Sequence, residues 1–156
     1  MDPARIELVS AWLLKAWRDL AAARLLSPRS ELRDPALFHC QQAGEKAIKG
    51  LLVFVDIPFA KTHDIAALIR VAAKWQPELA AWEEVGESLS QYAVTARYPH
   101  IEGFDANDAM LQEALEDAEG LLRQVLACLP TEVHPEGSTQ GLVAPSPTEL
   151  GRERTP

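Results

Sequence analysis

The chain has only two cysteines in 156 residues, Cys40 and Cys128. Two thiols cannot build a disulfide framework or supply a zinc quartet. Both fall in helical patterns, so they read as buried, reduced thiols. No apolar run reaches the roughly 18 residues that a bilayer-spanning helix needs. The opening "MDPARIELVS" puts charges where a signal peptide requires an apolar stretch. These absences predict a soluble, cytoplasmic protein that makes no membrane contact. No Gly-rich loop offers a phosphate cradle, and no nucleophile–base pair stands out. No stretch alternates with the period of two that marks a half-buried strand, and no internal repeat is evident.

Basic residues are also scarce, and unevenly so. The formal net charge is −8, with 15 Lys+Arg against 23 Asp+Glu, which argues against strong non-specific binding to nucleic acid. Residues 1–74 carry 11 basic against 8 acidic residues, a balance of +3; residues 75–129 carry 2 against 11, a balance of −9. A local anion site therefore belongs in the first half, and the acidic second half is a poor surface for RNA. The opposite charges also suit packing of the halves against each other or against a second copy.

What is present is helix. Hydrophobic residues make up 47% of the chain, and its length suits one domain with a real core. Residues 5–26 place Ile6, Val9, Leu13, Ala16, Leu20 and Ala23 on one stripe, behind an Asp2 cap and Pro3 at the first helical position. "SPRSELRDP" (27–35) reads as a loop. A second helix runs from about Pro35 to Val55, and a shorter third over roughly 63–75, capped by Thr62. The fourth spans about 78–97 and stops at Pro99. The fifth runs from an Asp105 cap to about Leu129. The expected fold is all-α: an antiparallel, up-and-down bundle of four long helices plus one short helix, over residues 1–129. From Pro130 to 156 the chain holds 5 of its 11 prolines and no periodicity, which reads as a flexible tail.

The second helix carries the candidate site. His39, Gln42, Lys46 and Lys49 recur at three- and four-residue steps and fall within roughly 80° on a helical wheel. The plain reading is a solvated face. The alternative is a face that meets a phosphate, a base or another chain. Phe38 lies on the same side, where a large ring in water calls for a partner, and it is the predicted anchor of a dimer interface.

The order "FHCQQAGEKAIKGLL" (38–52), "THDIAALI" (62–69) and "QYAVTARYP" (91–99) resembles the HEPN family of prokaryotic helical domains, over roughly residues 5–129. That resemblance implies a small antiparallel bundle that is often a homodimer. It implies association with minimal nucleotidyltransferases, as in toxin–antitoxin pairs, and the family name itself implies nucleotide binding. Other members are metal-independent endoribonucleases that use an arginine, four to six residues, then a histidine. Histidine suits acid–base work near neutrality and arginine clamps phosphate. Here Arg97 and His100 have only two residues between them, one of them Pro99, and Arg33 with His39 lies away from the family's place for the motif. The chain is therefore not expected to be a ribonuclease.

Two further segments have both a structural and a functional reading. Arg97 near a helix C-terminus complements the dipole, and Pro99 stops the helix; alternatively Arg97 and Tyr98 complete a polar site with the stripe. In "KTHD" (61–64), Thr62 caps and His63 is exposed, or Lys61 and His63 form an anion pocket at a helix start. The histidines lack metal-ligand spacing, and neither a metal nor a cofactor is expected. The predicted function is a binding and interaction module that engages a nucleotide, or a nucleotidyltransferase-type partner, as a homodimer. The predicted site is His39, Gln42, Lys46, Lys49, His63, Arg97 and Tyr98. A divergent ribonuclease and a dimerisation domain without a ligand are the alternatives.

Overall fold

A computed structural model describes residues 1–99 and 101–136. Among these residues every regular element is helical. α1 spans Pro3–Leu26, α2 Arg33–Phe54, α3 Ile65–Ala72, α4 Glu83–Ser90, α5 Tyr92–Thr95 and α6 Asp108–Ala127. Short 3₁₀ turns lie at Ser30–Leu32, Pro77–Trp82 and Thr131–Val133. The expected all-α bundle is what forms.

α1 starts as its sequence dictates. Asp2 Oδ1 accepts the Ala4 N–H at 3.1 Å, and Pro3 occupies the first turn. Its buried residues are Val9, Leu13, Ala16, Leu20 and Ala23, the predicted stripe without Ile6. The caps of two later helices differ from expectation. Asp64 caps α3, accepting from Ala67 N–H at 3.0 Å, while Thr62 braces Asp64 by accepting its N–H. Asn107, not Asp105, caps α6, accepting from Met110 N–H at 2.9 Å. In both places two capping residue types stand close together, so composition alone could not choose between them.

The expected fourth long helix is broken into a 3₁₀ turn, α4 and α5. Side chains compete there for the helical backbone. Ser90 Oγ donates to Gly86 O at 2.6 Å and accepts from Ile65 N–H at 2.8 Å, and Thr95 Oγ1 donates to Gln91 O. Ser90 thereby ties α4 to the start of α3. Gly86 permits that approach, since a Cβ there would lie 2.9 Å from Ala66 N.

α2 is the centre of the bundle. It packs most extensively against α1, then α6, and touches α3, α4 and α5 as well. From residue 36 to 54 none of its residues is exposed. Cys40 lies fully buried on it, and burial pushes its thiol up to about 12. Cys128 is half-buried, and burial raises its thiol too.

Residues 130–136, assigned above to the tail, rest on the bundle. Val133 is fully buried in the core. His134 Nε2 lies 2.9 Å from Leu126 O and 3.1 Å from Leu129 O. Carbonyls only accept, so Nε2 carries the hydrogen and gives a further donor to carbonyls at and just past the end of α6. The rest of the predicted tail, 137–156, lies outside the described residues.

Candidate functional site

Because α2 is central, its polar residues face neighbours. They divide into two clusters, each built on one carboxylate. In the first, Glu45 accepts three hydrogen bonds: from Lys49 Nζ at 2.6 Å, Gln41 Nε2 at 2.7 Å and His63 Nδ1 at 2.9 Å. Gln41 in turn accepts from Gln42 Nε2 at 2.7 Å. Gln41, Glu45 and Lys49 follow at four-residue steps, so one face of α2 supplies the whole spine. Glu45 is 4% exposed and Lys49 8%. Lys49 Nζ also sits 5.9 Å from the Trp12 ring centre and 5.8 Å from that of Phe59. Burial by itself would raise the Glu45 carboxyl, but the hydrogen bonds from Lys49, His63 and Gln41 outweigh it and hold the group below the usual carboxylate range.

The second cluster joins α1 to α2. Asp19 Oδ2 accepts from Lys46 Nζ at 2.6 Å, and Asp19 Oδ1 lies 2.8 Å from His39 Nδ1. It is more open: the His39 side chain is 32% exposed. The Phe38 ring lies against His39 with centroids 6.1 Å apart. Above Phe38, at 5.2 Å from its centre, is the guanidinium of Arg97, which also lies 5.6 Å from the Tyr98 ring. Phe38 is therefore half-buried beneath a cation, not bare as its wheel position implied. Arg97 and Tyr98 are exposed, Tyr98 by 55%. Among the described residues Arg97 forms no ion pair.

The predicted site residues thus separate. His39 and Arg97 both lie against Phe38, and Tyr98 lies beside Arg97. Lys46 borders them but is neutralised by Asp19. Lys49, Gln42 and His63 belong to the Glu45 spine, and Lys49 is shut away from solvent. The stripe is not a wet face. Lys61, the other cation of "KTHD", is exposed and makes no ion pair among the described residues.

The arginine–histidine pair at Arg33 and His39 is drawn apart. Both stand on α2, since the helix begins at Arg33 and not after a mobile loop. Six residues turn them roughly 120° from each other. Arg33 Nε donates to Asp108 Oδ1 at 2.8 Å, while His39 is held by Asp19. His100 lies outside the described residues, so its spacing from Arg97 in the sequence is all that bears on that motif. Among the described residues no three His, Cys, Asp or Glu side chains are placed to hold a metal ion.

Sequence reasoning missed Asp19, Gln41 and Glu45. Gln41, Glu45 and Lys49 had a signal, the four-residue step. Asp19 had none, because its partners lie 20 and 27 positions away.

No curated protein matches the chain. Solved structures do. That of an archaeal HEPN homologue matches with a TM-score of 0.60 at 27% identity, covering 77% of this chain and 96% of that one. A protein from Thermus thermophilus matches with a TM-score of 0.65 at 25% identity, covering 78% of this chain and 98% of its own. The HEPN domain model matches residues 9–128, which include all six helices except the first turns of α1. The chain belongs to the HEPN domain family.

Proposed function

We propose that this HEPN-type protein is a binding and interaction module. It engages a nucleotide, or a nucleotidyltransferase-type partner that handles one, at the patch formed by Phe38, His39, Arg97 and Tyr98, and it does so as a homodimer. One observation carries the reading: the Arg97 guanidinium lies over Phe38 and beside Tyr98 with no carboxylate to neutralise it among the described residues. A planar cation next to an exposed phenol suits a phosphate and a stacked base. Val94, 53% exposed, adds apolar surface that a second copy would cover.

The ribonuclease reading draws less support. General acid–base catalysis needs a group held within hydrogen-bond reach of its proton, and Arg33 and His39 are held by different carboxylates on different sides of α2.

Calorimetric titration with AMP tests the proposal. Arg97→Ala should weaken binding at least tenfold, and wild-type affinity should fall with added salt, because phosphate contacts are screened. No binding by wild type would remove the nucleotide. Sedimentation of wild type as a monomer at roughly tens of micromolar, a range in which a functional dimer persists, would remove the homodimer.

A further inference from the structure

Asp19 fixes the position of the His39 ring and also the placement of its hydrogen. A carboxylate that accepts from Lys46 at one oxygen and faces His39 Nδ1 at the other, 2.8 Å away, offers only lone pairs. Nδ1 must therefore be the N–H. In neutral His39 the second nitrogen, Nε2, is then a bare lone pair. Nε2 makes no hydrogen bond among the described residues, and the His39 side chain is 32% exposed. A bare lone pair repels a phosphate oxygen; an imidazolium Nε2–H donates to it. Among the described residues, the charged or titratable groups around His39 are Asp19 from α1, Lys46 from α2 and, across the Phe38 ring, Arg97 with its neighbour Tyr98 from the turn after α5. Lys46 is already matched by Asp19. An unneutralised Arg97 plus an imidazolium would present two positive charges, the complement of a phosphomonoester dianion.

We propose that His39 is the proton-dependent half of a phosphate clamp. A terminal phosphomonoester is held between the Arg97 guanidinium and the His39 Nε2–H, and Asp19 is the positioning residue that dictates which nitrogen meets the ligand. Binding from neutral solution takes up a proton, which ends on Nε2 facing a phosphate oxygen. This rests on the nucleotide reading above and adds to it the ligand class and its linkage to pH. A phosphodiester, with one negative charge, binds more weakly at the same patch.

The test is proton counting. AMP is titrated into the full chain at pH 7.5, where its phosphate is largely dianionic, in buffers of different ionisation enthalpy. Wild type should take up close to one proton per AMP bound, and His39→Gln close to none, with weaker binding and an unchanged circular dichroism spectrum. Asp19→Asn removes the charge that favours imidazolium, so the pH midpoint of AMP binding should move downward, a change that loss of packing alone does not produce. Nitrogen NMR of ligand-free wild type should show a His39 hydrogen on Nδ1. AMP bound without proton uptake overturns this inference and leaves the nucleotide reading standing. No AMP binding at all overturns both. A ring with its hydrogen on Nε2 overturns the inference whether or not any variant folds.

Discussion

Asp19 and Glu45 have almost the same partners. Each accepts a lysine ammonium of α2 at 2.6 Å, and each faces a histidine Nδ1 at 2.8 to 2.9 Å. Their surroundings differ. Glu45 and Lys49 lie inside the bundle, under Trp12 and Phe59. Asp19 and Lys46 lie at a half-open seam, beside Arg97 and its aromatic neighbours. The same chemistry therefore sits in two environments. Inside, the ions have given up water, so each depends on the other. At the seam, the pair keeps some contact with water, and the His39 side chain is 32% exposed.

The largest expected effect comes from breaking the inner pair. Glu45→Ala leaves Lys49 buried without a counter-ion and should cost about 3–5 kcal/mol in denaturant melts, as other broken buried pairs do. Lys49→Ala should cost nearly as much, which makes Lys49 a residue of the fold and not of a ligand site. The outer pair keeps more contact with water, its side chains being 22% and 12% exposed, so Lys46→Ala should cost less than Lys49→Ala. Equal losses at the two sites would erase the contrast. A Glu45→Leu, Lys49→Met double variant should recover most of the stability, since apolar replacement of a buried ion pair is often neutral. Recovery of less than half would show that His63 and Gln41 depend on the carboxylate more than Lys49 does.

Acid sharpens the comparison at a smaller scale. The Glu45 carboxyl is held below its ordinary value of 4.5 by its three donors. The stability this contributes is fully present above that value and is lost as pH falls through the lower, folded-state one. Stability measured from pH 6 down to pH 2 should therefore drop more steeply in wild type than in Glu45→Gln. Parallel curves would mean that other carboxylates dominate acid unfolding.

Arg97→Ala should change stability by no more than about 0.5 kcal/mol, as expected for an exposed side chain. The smallest expected effect is none: the purified protein should not cleave RNA in the presence of a chelator. Cleavage that disappears in His39→Ala and survives in Glu113→Ala would reassign the outer cluster to catalysis.

Much of the fold was legible because it depends on local pattern. The stripe Val9, Leu13, Ala16, Leu20 and Ala23 repeats at helical steps, and it is what α1 buries. Breaks made by side chains were not legible. Ser90 and Thr95 look like ordinary helix residues until their hydroxyls are seen bonded to Gly86 O and Gln91 O. Val133 stands alone among prolines and polar residues, so no periodicity could announce that it is core. The candidate site was half legible. A helical wheel groups His39, Gln42, Lys46 and Lys49, but it cannot tell a face turned to water from one turned to another helix. That depends on α2 being central, which no window on α2 alone contains. The closeness of Phe38 to Arg97 joins residues 59 positions apart, and nothing local encodes it.

Cys40 has a use of its own. The thiolate is the form that alkylating reagents attack, and this thiol is both fully buried and pushed up to about 12. In the closed molecule it is invisible to such reagents. Its labelling rate therefore counts the moments when α2 parts from its neighbours, each recorded once and irreversibly. The chain carries an internal clock for its own breathing, and any ligand that tightens the bundle would slow it.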